Sequence, residues 1–194
     1  MALMEIVDEV GLQVEVKQAA LIQLKNHIKL HWQAKKEEMD SSEKEAIKNA
    51  ILLAVIRCNR NHKLIKLYKE IFTIIIGMEY RNWLPVVPIV ERINQEQDLV
   101  PLLHILLAIA ASFEFSITDE ERQHFFNFLK VVLPCLLELL NKRQDHELIY
   151  LSIKFLWKAV HYEINADIKT LACAWMPLLH LVIGATNPQF DAHP

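Results

Sequence analysis

The sequence predicts an all-α protein, an α-α superhelix made of stacked helix pairs. Glycine is scarce, only 3 of 194 residues, whereas sheets and catalytic loops lean on glycine for their turns. Apolar residues, 53% of the chain, recur with a period near 3.6 from end to end. Links of about 3–9 residues separate the apolar runs, the range expected between neighbouring helices.

The first strong stripe is Val16, Ala19, Ala20, Leu21, Leu24, Ile28 and Leu30, broken by Lys17, Lys25 and Lys29. It predicts a helix over about residues 13–32. A charged link follows, Lys35-Lys36-Glu37-Glu38. Ser42-Glu43-Lys44-Glu45 then reads as a capping box. The helix it opens carries Ile47, Ala50, Ile51, Ala54 and Val55 on one face and ends in the Asn-rich turn 58–61. The next helix covers about residues 62–78. A hinge at 79–82 leads to Trp83 and to a short helix with Pro85 in its first turn, where the missing amide proton does no harm. Asp98 is placed to open a nearly all-apolar helix reaching Phe113, which should be buried on most sides. Thr118-Asp119-Glu120-Glu121 is a second capping box, opening a long helix to about Asn141 with a kink expected at Pro134. Asp145 starts a helix to about Ile164. Asn165 or Asp167 starts the last one, bent at Pro177 and closed by Gly184.

That makes about eight helices and no strand. Pair starts near Gln13, Asn61, Asp98 and Asp145 lie roughly 37–48 residues apart, which fits two-helix HEAT-type repeats of about 40–47 residues. The expected repeats are 12–59, 60–95, 96–143 and 144–186, with 1–11 the remnant of a first repeat and 187–194 a tail. A globular bundle would show one apolar face per helix. Several helices here read as apolar on two sides, as in the middle of a solenoid.

Composition excludes several classes of function. With 21 Lys+Arg against 24 Asp+Glu the net charge is -3, so there is no basic field for nucleic acid. Gly11, Gly77 and Gly184 are too far apart for a phosphate-cradling loop. Cys58, Cys135 and Cys173 have no zinc or redox spacing and read as small hydrophobes in a reducing compartment. The stretch 1–10 carries Glu5, Asp8 and Glu9 and no basic segment, so no signal peptide is expected. The apolar stretches 99–113 and 171–185 fall short of the roughly 18–20 residues of a membrane span.

Side chains with catalytic potential do not converge. His27 and His31 share a helix face, but Ile28 stands where a zinc protease needs Glu, and no third ligand is evident. His104, His161 and His180 sit among apolar neighbours. No Gly-x-Ser-x-Gly elbow frames a serine. Glu43, Glu45, Glu120 and Glu121 are explained as helix-start carboxylates. Trp32, Trp83, Trp157 and Trp175 read as core packing. No enzyme, cofactor or metal site is expected.

The run 16–28, VKQAALIQLKNHI, followed by Trp32, resembles the N-terminal signature of the importin-β (karyopherin-β) superfamily. The similarity continues through 46–57, 64–76, the Trp83-Leu84-Pro85 stretch, 102–115, 125–140 and 148–162, and is nearest to the subgroup that includes importin seven and eight. Three departures accompany it. The chain opens inside what would be the first repeat, the hinge 80–83 lacks the family's proline, and family members are several times longer. The resemblance therefore implies an N-terminal fragment or truncated form.

The resemblance implies a nuclear transport receptor of cytoplasm and nucleus, including the nuclear pore. Its expected partners are the small GTPase Ran in its GTP form, protein cargo, and nucleoporin Phe-Gly repeats bound mostly elsewhere in the longer proteins. Neither nucleic acid nor membrane is expected. Burying Ile47, Ile51, Ala54 and Val55 should leave Lys44, Glu45, Lys48, Asn49 and Leu52 facing outward as Ran contacts. On the next such helix Glu91 and Asn94 are the candidates, with Trp83 structural. The competing reading is a generic HEAT scaffold, of vesicle-coat adaptor or phosphatase-scaffold type.

Overall fold

The computed structural model describes residues 2–34, 37–58, 60–81, 83, 85–95, 99–113, 118–142, 145–160, 173, 175 and 176. These form eight α-helices, with no strand among the described residues. They are α1 (Ala2–Asp8), α2 (Val14–His31), α3 (Ser41–Arg57), α4 (His62–Glu79), α5 (Val86–Gln95), α6 (Val100–Ser112), α7 (Asp119–Lys142) and α8 (His146–Val160). The architecture is helix packed on helix, of the HEAT-like α-α class. Apart from residues 173, 175 and 176, the expected last helix, with Asn165, Asp167, Pro177 and Gly184, lies outside the described residues.

The chain divides into two compact units, Met1–Leu84 with Asp98–Ser112, and Pro85–Gln97 with Phe113–Pro194. The expected repeats 60–95 and 96–143 each contribute to both. In the first unit α4 packs against α2 and α6, α1 against α2 and α3, and α3 against α4 and α6. Its core draws Leu21, Leu24 and Ile28 from α2, Ile47, Ile51 and Val55 from α3, and Phe72, Ile75 and Ile76 from α4. α6 is apolar except at His104 and its terminal Ser112, and ten of its residues are buried, Val100 to Leu103 and Ile105 to Ala110. The second unit packs α5 on α7 and α7 on α8. There Ile89 and Ile93 meet a core of Phe125, Phe128, Leu129, Val132, Leu136, Leu151 and Phe155.

Local chemistry sets the helix ends. Asn61 caps α4 by accepting from the Lys63 and Leu64 amides, and Asp145 caps α8 by accepting from Glu147 and Leu148. The Thr118–Glu121 capping box forms reciprocally. Glu121 N–H donates to Thr118 Oγ1 at 3.2 Å, and Thr118 N–H donates to Glu121 Oε2 at 3.1 Å. The capping box expected at Ser42–Glu45 does not form. Asp40 is the cap, its carboxylate accepting from the Ser42 amide at 2.8 Å and from the Ser42 hydroxyl. Asp40 lies one residue before the helix with extended backbone, where a cap belongs, so the serine lies already inside the first turn. Between α1 and α2, Gly11 takes φ +94°, a turn conformation that only glycine adopts freely.

Pro134 lies inside α7, and the helix continues through it to Lys142. By length and composition α7 could cross a membrane, but half of its most apolar stretch is buried inside the protein. Its first turn, Asp119-Glu120-Glu121, is acidic, where the helix dipole favours carboxylates. Trp32 and Trp175 are core residues, as expected, whereas Trp157 is 62% exposed on α8 and so is not a core side chain.

Candidate protein-interaction face

The candidate face is that of α3. Its apolar positions turn toward the core, and the polar residues between them were expected to form one outward surface. The structure divides them. Glu45 and Asn49 are exposed. Lys44 lies at the edge, its ammonium 2.6 Å from Glu38 and 5.9 Å from the centre of the Trp32 ring.

Lys48 and Leu52 depart from the expectation. They are 7% and 4% exposed. Leu52 joins the apolar core. Lys48 is drawn in by a carboxylate on another helix. Its ammonium meets Glu79 Oε2 at 2.5 Å and Glu45 Oε1 at 2.8 Å, 5.9 Å from the Trp83 ring centre. The other oxygen of Glu79 accepts from Trp32 Nε1 at 3.0 Å. Trp83 in turn stacks on Phe72 at 5.7 Å.

One carboxylate therefore ties together the C-terminal end of α2, the middle of α3 and the C-terminal end of α4. Its position explains why it needs this company. Glu79 is the last residue of α4, where the helix dipole is unfavourable to an anion. The lysine ammonium and the indole N–H offset that cost. Gln33 adds a further tie across the same ends, Nε2 donating to the Met78 carbonyl at 2.9 Å. Burial disfavours the Lys48 charge, but the bonds and charges of Glu45 and Glu79 outweigh it, and its pKa is raised from the usual 10.5. Lys48 is thus a fixed cation throughout the neutral range.

The sequence reading missed Glu79 and Glu38, placing the first in a hinge and the second in a charged link. A faint signal existed for Glu79, an acidic residue ending an apolar helix with no basic residue in its last turn.

On α5, in the second unit, Glu91 is exposed; the Asn94 side chain lies outside the described residues. His27 and His31 approach with ring centres 4.7 Å apart. His27 Nε2 is 3.9 Å from Glu43, and His31 Nδ1 lies 3.1 Å from the Glu37 carbonyl. Among the described residues no group of three or more His, Cys, Asp or Glu is placed to hold a metal ion. What α3 offers chemically is a short row of exposed polar groups on a helix anchored from behind, suited to binding a folded partner.

Residues 1–57, which span α1 to α3, match the Importin-beta N-terminal domain. Across 201 aligned residues, 96% of this chain, the sequence is 24% identical to the Importin beta-like SAD2 homolog of Arabidopsis thaliana. The chain spans 19% of that relative's length. No solved structure matches. The matched domain contains the Lys-Gln-Ala-Ala run, Trp32 and the α3 face, and the relative aligns along nearly the whole chain, so both similarities point to the importin-β superfamily.

Proposed function

We propose that this chain works in nucleocytoplasmic transport as a receptor region that binds the GTP form of Ran through α3. The observation that carries the reading is the match of residues 1–57 to the Importin-beta N-terminal domain, because it covers the helix on which Glu45 and Asn49 are exposed. Glu45 and Asn49 are the proposed direct contacts on α3, with Lys44 at their edge. Glu91 and Asn94 are proposed as a second set on α5. Lys48 and Leu52 act from behind, holding α3 in place. A helix fixed in this way presents its exposed groups preorganised, which lowers the entropic cost of docking.

The selectivity proposed is for a switch state. A partner surface that exists only in the GTP form shifts the receptor toward the conformation that fits it. Catalysis has no part in this reading. Cargo and nucleoporin Phe-Gly repeats are further partners of the same reading, in cytoplasm, nucleus and nuclear pore.

The test is a titration of the chain with Ran loaded with GTP and, in parallel, with GDP. Preference for GTP, weakened about tenfold or more by Glu45→Lys with Asn49→Arg, is the expected result. Reversal at Lys48 is unsuitable as a contact probe, because that side chain is buried. Equal affinity for both nucleotide states, in this chain and in a longer form of it, would replace the transport reading with that of a HEAT scaffold.

A further inference from the structure

We propose that the hollow among α1, α3 and α4 is a binding site for a small amphipathic oxyanion, a carboxylate or phosphate head on a short hydrocarbon body. The site lies wholly in the first unit and is independent of the Ran reading. Its volume is about 330 Å³, at the small end of the ~300–1,000 Å³ typical of ligand pockets. Val7, Val10, Ala54 and Leu64 supply apolar wall.

Two polar groups on its lining are uncommitted, and both are donors. Tyr68 is 1% exposed, yet its hydroxyl makes no hydrogen bond among the described residues. The residue lines the hollow, so a ligand acceptor there would take the place of solvent at its hydroxyl. Burial, with the nearby Cys58 and Asp8, pushes the Tyr68 pKa well above the usual 10.0, so the group remains an O–H donor. Lys17 lines the same hollow and makes no ion pair among the described residues. Arg57 is a third donor, and it also holds the Asp8 carboxylate at 3.8 Å.

Two cations against one carboxylate favour an anion, and two open donors favour an oxygen acceptor. The apolar wall favours a hydrocarbon body over a bare inorganic ion. A second hollow of about 260 Å³ shares Lys17, Arg57, Cys58 and Leu64 with the first and reaches toward Leu12 and Asn61. It gives the hydrocarbon end room to extend.

The test uses the whole chain with octanoate, octyl phosphate and octanol as probes, read by isothermal titration. Octanoate or octyl phosphate should bind and octanol should not, and comparison of the two anions shows which head is preferred. Lys17→Gln and Tyr68→Phe should each weaken binding about tenfold. Tyr68→Phe removes one hydroxyl at the wall of the hollow and keeps the ring in the core, so the variant should fold. Occupancy should also slow alkylation of Cys58 on the cavity wall while leaving the exposed Cys173 unchanged. Failure of both anions to bind, equal binding of octanol, or undiminished binding in both variants would overturn the proposal.

Discussion

The two units hold their helices together in different ways. In the first, the ends of α2 and α4 and the middle of α3 meet at charged groups, where Glu79 serves Lys48 and Trp32 at once. In the second, the start of α7 is held by rings. Phe113 stacks on Phe125 at 4.9 Å, and Phe125 on Phe128 at 6.2 Å. Ring packing is strong but tolerant of direction. A buried ion pair is weak evidence for net stability, yet breaking it is costly, because one charge is left stranded. The first arrangement can therefore fix where one helix ends against another, whereas the second mainly supplies cohesion.

The largest effect should come from the ring stack. Phe125 is buried between two aromatic neighbours, and Phe125→Ala should cost about 3–5 kcal/mol through lost burial and the cavity left behind. Urea unfolding followed by circular dichroism measures it. The loss should be nearly independent of salt, since no charge is involved. A loss below about 1 kcal/mol would mean that the stack is peripheral to the second unit's stability.

Next in size is Glu79→Ala, at about 3 kcal/mol, because Lys48 stays buried with only the exposed Glu45 beside it. Lys48→Met in the same chain should recover part of that loss, since removing both charges costs less than stranding one. A double-mutant cycle should give a coupling of about 1–3 kcal/mol; zero coupling would dismiss the clamp. The pH dependence has a definite sign. Lys48 has its pKa raised on folding, so its contribution is fully present below the unfolded value of 10.5 and is lost as pH rises through the higher folded value. Between neutral pH and about 10 the clamp should be indifferent to pH.

The contrast also shows what was legible in advance. α6 could be read from its pattern, because almost any packing buries a run such as Ile105-Leu106-Leu107-Ala108-Ile109. The starts of α4 and α7 were equally plain, set by local residues. Lys48 was not. Its position on α3 looks outward by periodicity, and the group that pulls it inward stands on another helix. Local pattern carries no record of a distant carboxylate, so the face was half right: Glu45 and Asn49 exposed, Lys48 and Leu52 turned in. The cavity at Tyr68 was wholly illegible, since its walls come from residues 7 to 68 of the chain.

A smaller effect separates the two look-alike capping sequences. Thr118→Ala removes a formed cap and should cost about 1 kcal/mol. Ser42→Ala removes no side-chain bond to a helix amide and should cost less. Equal losses at the two sites would restore the capping box to Ser42.

The smallest and most specific difference is in titration. The hydroxyl and then the amide of Ser42 hold the Asp40 carboxyl below its usual 3.8, because they bond the charged form. A folded pKa that is depressed contributes stability above the unfolded value and loses it as pH falls through the folded one. The α3 cap should therefore fail only in strong acid, below about pH 4. Carboxyl-detected NMR would place the Asp40 midpoint below 3.8, and Ser42→Ala should move it upward, since the largest cause of the shift is the serine hydroxyl. An Asp40 midpoint unmoved by Ser42→Ala would separate the cap from the hydroxyl and leave the backbone amides of the first turn as its whole cause.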